Sequence, residues 1–172
     1  MMISVSDNTA ADQLLRTLGR ERVAQIQAVA GHRKPALNRP FLSTLEMFKL
    51  KGEPSGKMAA RYLALDEKGR RALLEREIAG IKREGVKPFP DGRPSHLDSI
   101  EWFASARDLC GVMNYLREGT EGDPKTQPIR EILAINPGLE IPRAQWAYAG
   151  YKGGSEPGAI SLTYLLRSTA GD

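Results

Sequence analysis

The sequence predicts a mixed fold, a mainly helical block over residues 1–143 followed by a β hairpin over residues 144–168. Two observations carry this reading. Apolar residues recur at helical spacing through the first part, and near residue 144 the period drops to two as aromatic residues gather. With 172 residues, 41% hydrophobic and 27% charged, the chain reads as one soluble domain with enough length to bury a core.

The elements follow in order. Asp7 or Asn8 caps a first helix with Ala11, Leu14, Leu15 and Leu18 on one face, and Gly19 stops it. A second helix runs from Arg20 to Ala30, buries Val23, Ile26 and Ala30, and ends at Gly31. Residues 32–42 hold two prolines and form a loop. Ser43 and Glu46 form a capping box ahead of Met47, Phe48 and Leu50. Residues 57–84 read as two helices hinged near Asp66 and Gly69, with Leu74, Ile78 and Ile81 on one stripe.

Residues 85–94 contain three prolines and two glycines, which no regular element tolerates, so they form a long loop. Ser105 and Asp108 open another helix; Leu109, Val112, Met113 and Leu116 line its face and Gly119 ends it. A short helix spans Pro128 to Ile135. In the hairpin, Gln145 to Lys152 is one strand, Gly153 to Gly158 the turn, and Ala159 to Leu166 the other. The second strand alternates Ile160, Leu162, Tyr164 and Leu166 against Ser161, Thr163 and Leu165.

Charge narrows the partners. Lysine and arginine number 25 against 21 acidic residues, a net of +4, and the basic runs are broken by Pro, Gly and Glu. That is a solvated surface rather than a nucleic-acid footprint, and no stretch has the length of a membrane span. Neither nucleic acid nor a membrane is expected as partner. Two His and one Cys leave no metal-ligand spacing, so no metal or other cofactor is expected. Cys110, inside an apolar helical run, reads as a buried, inert thiol. The N-terminus lacks the basic and apolar regions of a signal peptide, and neither compartment nor oligomeric state is assigned.

Two motifs carry chemistry. Ser6-Asp7-Asn8 stands at a helix start, and Lys152-Gly153-Gly154 at the end of a hairpin strand. With their flanks, Met2 to Asp12 and Tyr151 to Gly158, and with Ala104 to Leu109 between them, they resemble the S-D-N and K-T-G regions of class A β-lactamases and penicillin-binding proteins, with Gly in place of Thr. The resemblance, in order over residues 1–168, identifies the chain as similar to the penicillin-recognising serine hydrolases. It implies an α/β fold, β-lactamase/transpeptidase-like, with a helical subdomain packed beside an antiparallel sheet that is incomplete here.

It also implies a small-molecule β-lactam or peptidoglycan-like substrate. Ser6 and Lys152 would be catalytic: Lys152 would face the substrate carboxylate, and Ser6 would relay a proton to the leaving nitrogen. Asn8 would bind the substrate acylamide, and Gly153 and Gly154 would let substrate approach the strand. The backbone N–H of Ser155 would be one oxyanion donor. Proteins of this family are usually periplasmic or secreted.

The pattern also breaks. None of the ten serines has Lys three residues later, so the S-x-x-K nucleophile is not among these residues. Both ends read as abrupt, so residues 1–172 are taken as one partial domain, inactive alone. Residues 85–98 contain no Glu to serve as deacylating base, and Glu101 reads as a first-turn helix residue. The alternatives are a D-Ala-D-Ala-directed transpeptidase or carboxypeptidase, and a non-catalytic binding domain reusing the fold.

Overall fold

The computed structural model describes residues 2–171. Helix α1 (Asn8–Leu18) is capped by Asp7, whose carboxylate accepts from the Ala10 N–H at 3.0 Å, and Gly19 ends it at φ +85°. Helix α2 (Arg20–Val29) follows directly. A 3-10 turn, Pro35–Asn38, interrupts the loop before α3 (Thr44–Gly52), which opens with both halves of the Ser43/Glu46 capping box. Helix α4 is Lys57–Ala64 and α5 is Glu67–Leu73, capped by Asp66. The hinge therefore lies at Asp66, while Gly69 is already helical.

Helix α5 runs on into a π turn, Leu74–Ile78, in which the Ala79 N–H reaches back to the Leu74 carbonyl. Buried Lys49 on α3 donates to the Ile78 and Ala79 carbonyls, both at 3.0 Å, satisfying acceptors that the helix end leaves open. The core sits here. Leu42, Met47, Leu50, Ala59, Tyr62, Leu73, Leu74, Ile78 and Ile100 pack between α3, α4 and α5. The long loop expected over residues 85–94 begins after a 3-10 turn, Arg83–Gly85, and runs on to residue 105, bringing Ile100 into that core.

Helix α6 (Ala106–Thr120) starts at a second complete capping box, Ser105 with Asp108, and passes through Gly119 to Thr120. Asp108 also accepts from the Arg33 backbone N–H and Nε, tying α6 to the loop after α2. These hydrogen bonds, from Ser105 first and then Arg33, hold its carboxyl far below the ordinary carboxylate range. Helix α7 (Gln127–Ala134) leads to strands β1 (Trp146–Glu156) and β2 (Ala159–Ser168), one antiparallel pair. Among the described residues no helix is long and apolar enough to cross a membrane.

Several expectations are corrected. Strand β1 does not stop at Lys152: Gly153, Gly154 and Ser155 pair with Leu162, Ser161 and Ile160, and the turn shrinks to Pro157-Gly158. A proline followed by a glycine at φ +85° suits a two-residue turn, and ladder hydrogen bonds outweigh the low strand propensity of the glycines. Leu14, Leu18 and Ile26 are exposed, because α1 and α2 are anchored through Asp12 and Ala24 on other faces, while Ala30 is buried as expected. The apolar side of β2 is open too, with Ile160 75% exposed. Cys110 is exposed, since α6 turns Met113 and Asp108 inward instead. Glu101 is no helical residue; it lies in the loop ahead of the Ser105 cap.

Candidate active site

The segment before α1 makes a tight turn. Ser6 takes φ +56°, a left-handed conformation uncommon for a side chain larger than Gly. Such a conformation costs on the order of 1–3 kcal/mol and persists only where the surroundings impose it. Its effect is to let the chain reverse into the Asp7 cap while the Ser6 hydroxyl stays outside the helix. Asn8, the first residue of α1, is exposed, and its side-chain amide has no hydrogen bond among the described residues.

Helix α1 is oriented from beneath. Buried Asp12 accepts from the Thr44 and Leu45 N–H groups at 2.7 and 3.0 Å, so a carboxylate of α1 caps the positive end of α3. From the other side, the Asn136 side chain donates to the Ser4 carbonyl at 2.8 Å. Two residues on, Gly138 at φ +69° lies under the Tyr151 ring, where a Cβ would collide with the aromatic carbons. The loop after α7 thus touches the neighbours of both Ser6 and Lys152. Neither Asp12 nor Asn136 was singled out in the sequence; spacing carries no signal for contacts this remote.

Ser6 and Lys152, 146 residues apart, meet: Lys152 Nζ donates to Ser6 Oγ at 2.8 Å. The same ammonium donates to its neighbour's carbonyl at Gly153. Among the described residues no carboxylate forms an ion pair with Lys152, and burial alone pushes its pKa below the usual lysine value. The site therefore holds a cation that is partly dehydrated and electrically uncompensated.

The strand period places Lys152, Gly154 and Glu156 on one face of β1, and Gly153 on the other. At Gly154 an added Cβ would meet nothing within 4 Å, so there is open space beside Lys152. Gly153 has a different reason. A Cβ there would strike the Tyr151 hydroxyl and crowd the Ser161 carbonyl at 3.2 Å, so the Thr of the K-T-G pattern would require the Tyr151 side chain to move. Ser155, one residue further, is exposed. A hollow of about 350 Å³ lies elsewhere, between α7 and β1, lined by Arg130, Tyr148 and Arg167.

A helical body crossed by an antiparallel hairpin, with a Ser–Lys pair at the seam, is a mixed fold carrying hydroxyl and ammonium chemistry. Comparison with protein families identifies residues 1–128 with the Beta-lactamase enzyme family, and the chain belongs to this family of β-lactamase-like serine hydrolases. Among curated proteins no sequence matches it. The family match ends before the hairpin, so the meeting of Lys152 with Ser6 is an observation independent of it.

Proposed function

We propose that the chain forms the substrate-binding and proton-relay part of a serine β-lactamase-like hydrolase acting on an amide that carries a carboxylate. The observation that supports this most is the uncompensated Lys152 ammonium held 2.8 Å from Ser6 Oγ beside the open face at Gly154. A partly dry cation with no anion of its own attracts one. A β-lactam or an acyl-D-Ala-D-Ala peptide brings a carboxylate close to the amide that reacts. Asn8, with its free carbonyl and NH₂, can match the acylamide donor for acceptor, and the Ser155 N–H is offered as an oxyanion donor.

The hydrogen-bond direction suits a relay. Because Lys152 donates to Ser6 Oγ, the Ser6 O–H proton points away from it and is available to the leaving nitrogen. As the amide C–N bond breaks, the nitrogen lone pair takes the Ser6 proton, and Ser6 recovers one from the Lys152 ammonium. The attacking hydroxyl is not among these residues, none of whose serines stands in an S-x-x-K setting.

A second reading, a penicillin-binding transpeptidase or carboxypeptidase, is favoured by one observation. Glu101, in the loop that leads to α6, is committed to an ion pair with Lys51 and so is not free to activate water. An acyl-enzyme without such a base deacylates slowly.

Titration calorimetry with benzylpenicillin and with its methyl ester tests the binding. The acid should bind and the ester, lacking the carboxylate charge, should bind at least about tenfold more weakly. Equal affinity for the two, or no binding of the acid, overturns the proposal.

A further inference from the structure

Lys51, in the last turn of α3, has a side chain with 0% exposure. Its ammonium lies between two carboxylates, donating to Glu156 Oε1 and Oε2 at 3.0 and 2.8 Å and to Glu101. The Phe89 ring closes another side, its centroid 5.6 Å from Nζ. Three segments far apart in sequence meet here: helix α3, the loop before α6, and the last residue of β1. Burial first, and then the neighbouring Glu156 carboxylate, raise the Glu101 pKa against the opposing pull of Lys51.

A buried ion cluster is a poor stabiliser, because the desolvation of three charges offsets most of their attraction. An apolar trio of the same volume would hold these segments together as well. What ions and hydrogen bonds add is direction. Among the described residues, Lys51–Glu156 is the ion pair that joins the helical body to the hairpin. It grips β1 on the face that carries Lys152 and Gly154, four residues or about 13 Å beyond Lys152. The open space at Gly154 thus lies between two anchors, Lys152 on Ser6 and Glu156 on Lys51.

We propose that Lys51 and Glu156 are positioning residues for the substrate site, fixing the end of β1 so that the Ser155 N–H faces the ligand held at Lys152. This rests on the function proposed above. Neither residue touches substrate; both act through the peptide that joins Ser155 to Glu156.

The test uses Glu156→Ala, which leaves Lys51 and Glu101 as a one-to-one pair and so keeps the fold, and Glu156→Gln, which retains the hydrogen bond to Lys51. Two readouts are taken on the whole chain: the amide resonances of Gly154, Ser155 and Glu156 (residue 156 in each variant), and calorimetric affinity for benzylpenicillin. Glu156→Ala should shift or broaden those amides, leave those of Tyr151 and Lys152 in place, and weaken binding about tenfold; Glu156→Gln should recover to within about threefold of wild type. A core variant, Ile78→Val, lowers stability without touching β1 and should leave affinity unchanged.

Unmoved amides and wild-type affinity in Glu156→Ala overturn the proposal, as does equal weakening by Ile78→Val. If wild type fails to bind benzylpenicillin, the function proposed above falls, while the amide readout still decides whether Glu156 sets the strand end.

Discussion

Replacing Lys152 with Met removes the ammonium and keeps the stem that packs along β1. At about 4 Å and an effective dielectric of about 20, an ammonium and a carboxylate attract by about 4 kcal/mol. Exposed pairs retain about 0–1 kcal/mol of this, and Lys152 is only partly buried. A value between these limits, about 1–2 kcal/mol, corresponds to a loss of roughly five- to thirtyfold in affinity. The fold should barely notice, since among the described residues the ammonium hydrogen-bonds the Ser6 hydroxyl and the Gly153 carbonyl alone. Calorimetry with benzylpenicillin, repeated at about 1 M salt where the Debye length is about 3 Å, gives both the affinity and its electrostatic part. Wild-type binding should weaken with salt, and Lys152→Met binding should be weak and insensitive to it.

The same lysine sets a pH dependence. Burial holds its pKa below the ordinary lysine value, so anion binding should fade as the pH climbs through that lowered pKa, earlier than a surface lysine would allow. Between the two values the unfolded chain binds more protons than the folded one, so stability should rise with pH across that alkaline window. The rise should vanish in Lys152→Met. A Lys152→Met protein that keeps its fold and binds benzylpenicillin as wild type does, with the same salt and pH response, refutes the reasoning.

Two adjacent glycines should behave oppositely. Gly153→Ala should lower the melting temperature, because its Cβ meets the Tyr151 hydroxyl, and adding Tyr151→Phe should restore part of the loss. Gly154→Ala should leave thermal stability unchanged, since nothing stands within 4 Å, yet weaken benzylpenicillin binding by filling the space beside Lys152. Asp12→Ala leaves the Thr44 and Leu45 N–H groups without their buried acceptor. Chemical denaturation should show a loss of about 1–3 kcal/mol.

Local chemistry was legible wherever a residue's partner lies within a turn of it. The capping boxes at Ser43/Glu46 and Ser105/Asp108, the Asp7 cap and the stop at Gly19 are such cases, each closed by atoms three or four residues apart. The hairpin was legible from its change of period, and the Ser-Asp-Asn and Lys-Gly-Gly motifs from their letters and order. What stayed hidden depends on partners that spacing does not encode. Periodicity places Leu14 and Leu18 on one face of α1 and Ile26 on a face of α2, but packing decides whether a face is covered. All three are exposed.

Tertiary structure alone decided three things. It extended β1 through Gly153 and Gly154, because an opposite strand supplied hydrogen bonds that local propensity does not count. It drew Lys51, Glu101 and Glu156 into one buried cluster, a contact among residues that look like ordinary surface charges in the sequence. It also closed 146 residues of chain to set Lys152 against Ser6. The sequence by itself determined which groups could do chemistry and which short elements would carry them. Their meeting required the long-range packing of α1 on α3 and of the hairpin on α7, since a site is a relation between segments and neighbours in the chain specify only their own conformation.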